Sequence, residues 1–162
     1  MYKTKLLTLS LISLIFLSCA KSTSNHNNSK FSIGYIDGEF DGLVLKTLLK
    51  NNLFNIGQYD KESKLIIDAE ISHTSSLFIT NIDNTSDRMN MDSNLFIKII
   101  DQSNECEMYK FDNEISQFYI FADSNQYISN DVAEKKIKEQ NTEQLVKEFI
   151  NKISRSEIVC KE

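Results

Sequence analysis

The spacing of apolar residues divides the chain into elements of regular structure. Residues 31–36 alternate apolar and small side chains, which is typical of a β-strand. Leucine and valine then recur at three- and four-residue spacing over residues 40–53, and this period predicts a helix. Residues 64–80 are rich in β-forming side chains, so we expect a long strand there, with a bulge near Ser75 and Ser76.

The second half of the chain predicts a hairpin followed by a long helix. After a turn at residues 81–88, apolar and polar side chains alternate over residues 89–99 with the period of two that a strand requires. A polar turn at residues 102–105 leads into a further strand over residues 108–122. An amphipathic helix over residues 131–154 is the last element.

The last helix carries three local signals. Asp131, followed three residues later by Glu134, matches a capping box, which would start the helix at that point. Leu145 and Phe149 lie one turn apart on its apolar face. Asn141 interrupts the apolar stripe, so we expect the helix to splay away from the core there.

The order of elements is therefore strand, helix, strand, strand, strand, helix. A strand–helix–strand start predicts a right-handed crossover to a parallel neighbour, and two hairpins then add antiparallel strands. The predicted fold is α+β: a two-layer sandwich with two helices on one face of a four-stranded mixed sheet. We assign residues 31–156 to this single domain and residues 157–162 to a C-terminal tail.

The first residues have the pattern of an export signal. Lys3 and Lys5 precede an apolar stretch of about a dozen residues, which is too short to span a membrane but suits the central part of a secretory signal. We assign residues 1–18 to this lipoprotein signal peptide. Residues 19–30 are polar, so they predict a flexible tether between the signal and the domain.

Cys19 is the candidate lipidation site. Ser18-Cys19 at the end of the apolar stretch resembles the lipobox of bacterial lipoproteins, which implies a lipid on the thiol and cleavage before it. The acyl chains would then hold the protein to a bilayer. Phe16 and Leu17 are bulkier than is usual in a lipobox, and Ser18 and Ala20 also have the small-x-small spacing of ordinary secretory cleavage.

Charge and cysteine content limit the possible partners. Removal of the signal peptide leaves 16 basic and 23 acidic side chains, a formal net charge of −7. Such an acidic body is not typical of a nucleic-acid-binding protein. Cys106 and Cys160 could form a disulfide in an oxidising compartment, but nothing in the sequence places them close together, so two unrelated cysteines are the favoured prediction.

The sequence contains no pattern typical of an active site. His73 lies in a predicted strand and is interpreted as a sheet side chain rather than a catalytic base. The acidic stretches at residues 83–94 and 123–134 lack the glycine that a calcium loop requires. We therefore expect a protein that is not an enzyme and that binds no cofactor and no metal ion.

The layout resembles the LptE family of lipopolysaccharide (LPS)-assembly lipoproteins. The resemblance is carried by the lipidated Cys19, the tether, residues 65–71, and residues 118–122 leading into the helical residues 133–153. It implies an outer-membrane lipoprotein whose body faces the periplasm or lies inside a barrel. Such a protein plugs and helps to assemble the LPS-export β-barrel and takes part in LPS delivery to the cell surface.

Under this hypothesis the partners are the LPS-export β-barrel, LPS itself and, through the acyl anchor, a lipid bilayer. Arg88, Lys98 and Lys110 are the candidate LPS contacts, because charge-assisted hydrogen bonds to phosphate need basic groups. The acidic balance argues against direct LPS-phosphate binding more than against the plug. The alternatives are an anchored periplasmic lipoprotein that activates a cell-wall synthase, a pilotin for another secretion barrel, and a surface-displayed binding lipoprotein.

Overall fold

The computed structural model describes residues 29–78, 88–120, 127–156 and 158–160, and these form an α+β fold. The elements are β1 (Ser32–Asp37), α1 (Glu39–Asn55), β2 (Leu65–Phe78), β3 (Arg88–Asp101), β4 (Cys106–Ile120) and α2 (Tyr127–Ile153). The predicted order and fold class are confirmed. The signal peptide, Cys19, most of the tether and the turn before Arg88 lie outside the described residues, as does the start of the glycine-lacking stretch 123–134, whose residues from 127 onwards belong to α2.

The four strands form one mixed sheet in the order β1-β2-β3-β4. β1 is parallel to β2, and the other two pairings are antiparallel, as the predicted crossover and hairpins require. α1 packs on β1 and β2, α2 packs on β3 and β4, and the two helices contact each other. The helices therefore form one layer and the sheet forms the other, which confirms the two-layer prediction.

The core lies between these two layers, and the alternation of β3 places it there. Met91, Ser93, Leu95, Ile97 and Ile99 are all fully buried, while the residues between them are partly exposed. On the helical side, the largest buried groups come from one face of each helix: Leu45, Leu49, Leu53, Leu145, Phe149 and Ile153. Alternate residues of the strands thus pack against residues three or four apart on the helices, and together they form a single apolar layer.

The bulge predicted near Ser75 and Ser76 is wrong. β2 pairs with β3 in continuous register from Leu65 to Phe78, without interruption at the two serines. Small hydroxyl side chains do not force a bulge in a strand, and the Ser75 hydroxyl lies 3.2 Å from the hydroxyl of Tyr119. The irregularity in the β3–β4 pairing lies at the other end of the sheet, where Met108 is an extra residue of β4 between the pairs Ile99–Tyr109 and Ile100–Glu107.

Two predictions about α2 are also wrong. The helix begins at Tyr127, so Asp131 is its fifth residue and does not cap it. Asn130 is already buried, which means that packing stabilises the turn before Asp131. Asn141 is 0% exposed and does not splay the helix from the core, because the Ser93 hydroxyl of β3 accepts a hydrogen bond from its amide at 2.8 Å.

A disulfide joins Cys106 at the start of β4 to Cys160, and this corrects the prediction of two unrelated cysteines. Their Cα atoms lie 5.7 Å apart although 54 positions separate them in sequence. The chain after α2 returns to the sheet at this point, and Ile158 packs against the core beside it. Only the tertiary fold brings the two residues together, so no local sequence signal could have paired them.

Candidate binding surface

The helices leave one face of β2, β3 and β4 uncovered, and we call it the open face. Alternate residues of each strand project from it. They include Asp68, Glu70, Ser72, Thr74 and Ser76 of β2, with Arg88, Asn90, Asp92, Asn94, Phe96 and Lys98 of β3 beside them, and Lys110, Asp112, Glu114, Ser116, Phe118 and Ile120 of β4. Charged, polar and aromatic side chains are mixed on this surface, so it is the natural candidate for binding.

Lys98 and Lys110 lie directly opposite each other on β3 and β4, towards the end of the open face that is connected by the turn at residues 102–105. Both ammonium groups lie over the ring of Phe96, at 5.4 Å and 4.9 Å from its centroid. Each pair is within the range of a cation–π interaction, which offsets part of the repulsion between two neighbouring positive charges. The structure therefore brings together two of the three predicted LPS-contact residues and supports them on one aromatic ring.

Acidic groups surround this basic pair. Asp68 lies beside Lys98 in register, Glu70 and Asp112 flank Phe96, and the Glu107 carboxylate is 4.0 Å from the Lys98 ammonium. Lys98 and Phe96 also line an open depression of about 150 Å³ between β1 and β3. An anion bound there would compete with these carboxylates, so the pair can serve as a local contact for one phosphate but not as a broad anionic-lipid surface.

The extra residue Met108 decides which way Lys110 points. The turn at residues 102–105 alone would pair Asp101 with Cys106 and continue to pair Lys98 with Tyr109. The bulge moves the register by one residue, so that Lys98 meets Lys110. A slip of one residue turns every later side chain to the other face, and without the bulge Lys110 would point into the helix-facing core.

Arg88 lies far from the other two basic residues. It pairs with Phe78 and Ile120 at the opposite end of the sheet, ten positions from Lys98 along β3. At a rise of about 3.3 Å per residue this separates them by roughly 33 Å. The three residues therefore do not form one phosphate site: Lys98 and Lys110 make a pair, and Arg88 marks the end of the hairpins.

Four exposed apolar side chains lie at the Arg88 end of the sheet, and we call them the distal tip: Phe78, Phe118 and Ile120 on the open face, and Leu77 on the helix-facing side. Leu77 is 63% exposed and Ile120 73% exposed, although they belong to central and long strands of the sheet. Phe78 and Phe118 pack edge to face with their ring centroids 4.8 Å apart. A patch of this kind at the end of a sheet is typical of a contact site for another molecule.

A buried polar cluster lies between the sheet and α2. The His73 Nδ1 is 2.8 Å from the Ser93 Oγ, and the Nε2 is 3.4 Å from the Thr142 Oγ1. The Thr142 hydroxyl donates to the carbonyl of Lys138, and the Asn141 amide donates to the Ser93 Oγ. The geometry therefore places the proton on Nε2: His73 donates to Thr142 and accepts from the Ser93 hydroxyl.

His73 is a side chain of β2, as expected from the sequence, and this cluster supplies its hydrogen-bond partners. Burial lowers the pKa of His73 from its usual 6.5, and Lys138 lowers it further, while Asp41 and Glu134 act in the opposite direction. A neutral imidazole is what the hydrogen bonds require. Although Ser93 and His73 are within nucleophile–base distance, Ser93 is 0% exposed, so no substrate can reach its hydroxyl in this conformation.

The described residues contain one grouping with metal-ligand spacing, formed by Asp101, Cys106 and Cys160. Both sulfurs are joined in the disulfide and cannot act as thiolate ligands. Asp101 instead accepts hydrogen bonds from the Ser103 backbone and the Asn104 amide, which hold its pKa below the usual value. These three residues therefore belong to a turn that the disulfide and the hydrogen bonds of Asp101 hold in place.

Within the described part of the chain, neither helix is apolar enough over a sufficient length to cross a bilayer. A scan of protein-family models gives no match, and a comparison with curated protein sequences gives none either.

Solved structures do match this chain, and several of them are bacterial lipoproteins. The minor lipoprotein from Acinetobacter baumannii superimposes with a TM-score of 0.62 at 13% identity, over 85% of this chain and 98% of its own. Rare lipoprotein B from Shewanella oneidensis gives 0.59 at 11% identity, over 77% and 93%. Lipoprotein B from Nitrosomonas europaea also gives 0.59 at 11% identity, over 78% and 82%. The chain shares the fold of these lipoproteins.

Proposed function

We propose that this protein is a lipid-anchored outer-membrane lipoprotein that plugs and helps to assemble the LPS-export β-barrel, and that it has no catalytic role. The observation that carries the proposal is the distal tip, an apolar end of a long sheet that the protein's own helices leave uncovered. The shared fold with bacterial lipoproteins supports the anchored state, and the export-signal pattern that ends at Cys19 supports the site of the anchor.

The tip is suited to binding a protein. Full burial of a side chain such as Leu77 or Phe118 is worth about 1.5–3 kcal/mol, so four such groups provide enough apolar surface for a specific contact. A partner that receives them gains this energy without unfolding any part of the lipoprotein. Arg88 at the edge of the tip adds a charged group that can bind a phosphate of LPS.

The position of the tether agrees with a plug. β1 starts beside Ile66, so the tether joins the domain at the end opposite the tip. β2 has 14 residues, and the tip therefore lies roughly 45 Å from the tether at about 3.3 Å per residue. Residues 19–30 could extend to about 40 Å, which would let the tip turn towards a barrel in the same membrane.

The experiment is purification of the protein from membranes, followed by detection of the LPS-export barrel. A Phe78→Ser, Phe118→Ser variant should lose the barrel, and the cells should admit large hydrophobic antibiotics. Phe54→Ser is the matched control, because Phe54 is equally apolar and 70% exposed but lies at the far end of α1. Loss of the barrel in the control, or its retention in the tip variant, would contradict the proposal.

The LPS contact is tested separately. Substitution of Arg88, Lys98 and Lys110 by alanine should weaken LPS binding and leave the amount of barrel unchanged, since the tip's apolar groups remain. Lys147→Ala, on the exposed side of α2, is the control. If depletion of the whole protein changed neither antibiotic permeability nor barrel abundance, the activator of a cell-wall synthase would become the leading function, with the pilotin next.

A further inference from the structure

The outer edge of β2 is only half covered. β1 pairs with β2 from Ile66 to Glu70 and ends at Asp37. Beyond that point β2 continues for eight residues, which pair with β3 on their other side. No described segment pairs with the outer backbone groups of Ser72–Leu77, and we call this stretch the free edge.

The free edge has a defined start. Gly38 follows β1 with a φ of 115°, a conformation that side chains rarely adopt, and turns the chain away into α1. A Cβ atom at this position would lie 2.7 Å from the Ile71 carbonyl oxygen, so the turn is held close against β2. A strand added to the free edge would therefore begin just beyond Gly38 and continue the line of β1.

The two outer edges of the sheet differ in charge. β4, the edge strand on the other side, carries Glu107, Lys110, Asp112 and Glu114, and charged side chains of this kind keep edges from pairing with foreign strands. The free edge carries no acidic residue, lysine or arginine. Its histidine, His73, is held neutral by the polar cluster.

We propose that the free edge is a binding site for an extended, uncharged segment of another protein, which adds a strand to the sheet beside β2. Its outward N–H and C=O groups, which come from every second residue, are matched in geometry only by another extended backbone. Ser72, Thr74 and Ser76 on one face and Ser75 on the other are small, so they leave room for β-branched or aromatic side chains on the incoming strand.

A second copy of this chain is the alternative occupant, since antiparallel pairing of two free edges would set Ser72 of one copy opposite Leu77 of the other. Formation of a dimer at the protein concentration of the titration below would therefore overturn the proposal.

The test is a titration of isotope-labelled protein with the peptide acetyl-Thr-Val-Thr-Tyr-Thr-Val-amide, followed by amide chemical shifts. We expect saturable shifts at Ser72–Leu77 and at the paired positions of β3, and none at the outer edge of β4. Contacts between backbone hydrogens of the peptide and of β2 should appear in the bound state. An absence of shifts at millimolar peptide, or shifts centred on the distal tip alone, would overturn the proposal.

Backbone pairing makes a further demand on the peptide. N-methylation of its first, third and fifth residues, or of its second, fourth and sixth, removes the N–H groups of one side only. One of the two methylated peptides should bind like the parent and the other should not bind. Equal binding by both would show that apolar side chains, not strand addition, hold the peptide.

The protein offers a matching pair of variants. Adjacent residues of β2 direct their N–H groups to opposite edges, so one of Thr74→Pro and Ser75→Pro keeps the pairing with β3 while removing an outward donor. That folded variant should lose peptide binding. On β4, whichever of the variants Ser116→Pro and Gln117→Pro remains folded should bind the peptide as the original protein does. These results do not depend on a barrel partner, since they use the peptide alone.

Discussion

Replacement of Phe149 by alanine tests how α2 is held to the sheet. Phe149 is fully buried, and its ring packs edge to face on the ring of Phe111, with centroids 5.6 Å apart. Phe111 is itself buried in β4, so the contact joins the two layers directly. The side chain therefore contributes both apolar burial and a specific aromatic geometry.

The expected loss follows from these two contributions. A buried phenylalanine changed to alanine costs about 3–5 kcal/mol, because transfer energy is lost and a cavity remains. Phe149→Leu keeps most of the volume and loses the ring pair, so it should cost about 1–2 kcal/mol. The three proteins should thus rank as original, leucine variant and alanine variant in free energy of unfolding.

Urea unfolding followed by circular dichroism measures this ranking. Lys147→Ala is the control, since Lys147 is exposed and its ion pair with Glu143 joins residues one helical turn apart. Such a pair is worth about 0.3–0.5 kcal/mol, so its midpoint should move little, whereas Phe149→Ala should lower the midpoint by more than about 1 M. Equal midpoints for the two variants would show that the buried face of α2 has been assigned wrongly.

Three further predictions concern the polar cluster and the disulfide. Because the pKa of His73 is lowered from 6.5, its contribution to stability should be complete above that pH and be lost as the pH falls towards the folded pKa. In urea titrations, the difference in free energy of unfolding between the original protein and His73→Gln should therefore be constant above pH 6.5 and decrease as the pH falls below it, and a difference that does not change with pH would refute this. Ser93→Ala leaves His73 and Asn141 without their hydrogen-bond partner, so it should lower the free energy of unfolding by about 2–4 kcal/mol, whereas Asn141→Ala should lower it by about 1–2 kcal/mol. Calorimetry that shows the reverse order would refute the hydrogen-bond assignment. Reduction of the Cys106–Cys160 disulfide should lower the free energy of unfolding by up to about 4 kcal/mol, as urea unfolding with and without reductant would measure. An unchanged free energy would mean that attachment of the chain end does not stabilise the fold.

The parts of the fold that local periodicity controls could be predicted from the sequence. The alternation in β3 and the apolar stripe of α2 each give the correct element and the correct buried face. The start of α2 could not, because the capping pattern at Asp131 is a local signal and packing around Asn130 overrides it. Element types thus follow from local chemistry, while their ends depend on contacts made elsewhere.

The candidate sites depend on residues that are distant in sequence, and this limits what the sequence can show. Asn141 looks like a flaw in an apolar stripe until its partner Ser93, 48 positions away, is known. The basic residues Lys98 and Lys110 could be placed on neighbouring strands, but their meeting depends on the single extra residue Met108. A bulge has no reliable sequence signal here, so the shared face of the two lysines is a structural result.

The oxidation state of Cys106 and Cys160 depends on the cellular compartment that the protein has reached. In a reducing cytoplasm both cysteines remain thiols, while an oxidising envelope joins them. Treatment of living cells with a thiol-blocking reagent, followed by gel separation without reductant, would therefore divide the population into molecules that crossed the inner membrane and molecules that did not. Cys160 is exposed, so the thiol form is open to such a reagent. Under the proposed export, the Cys106–Cys160 pair therefore reports whether a molecule has reached the envelope.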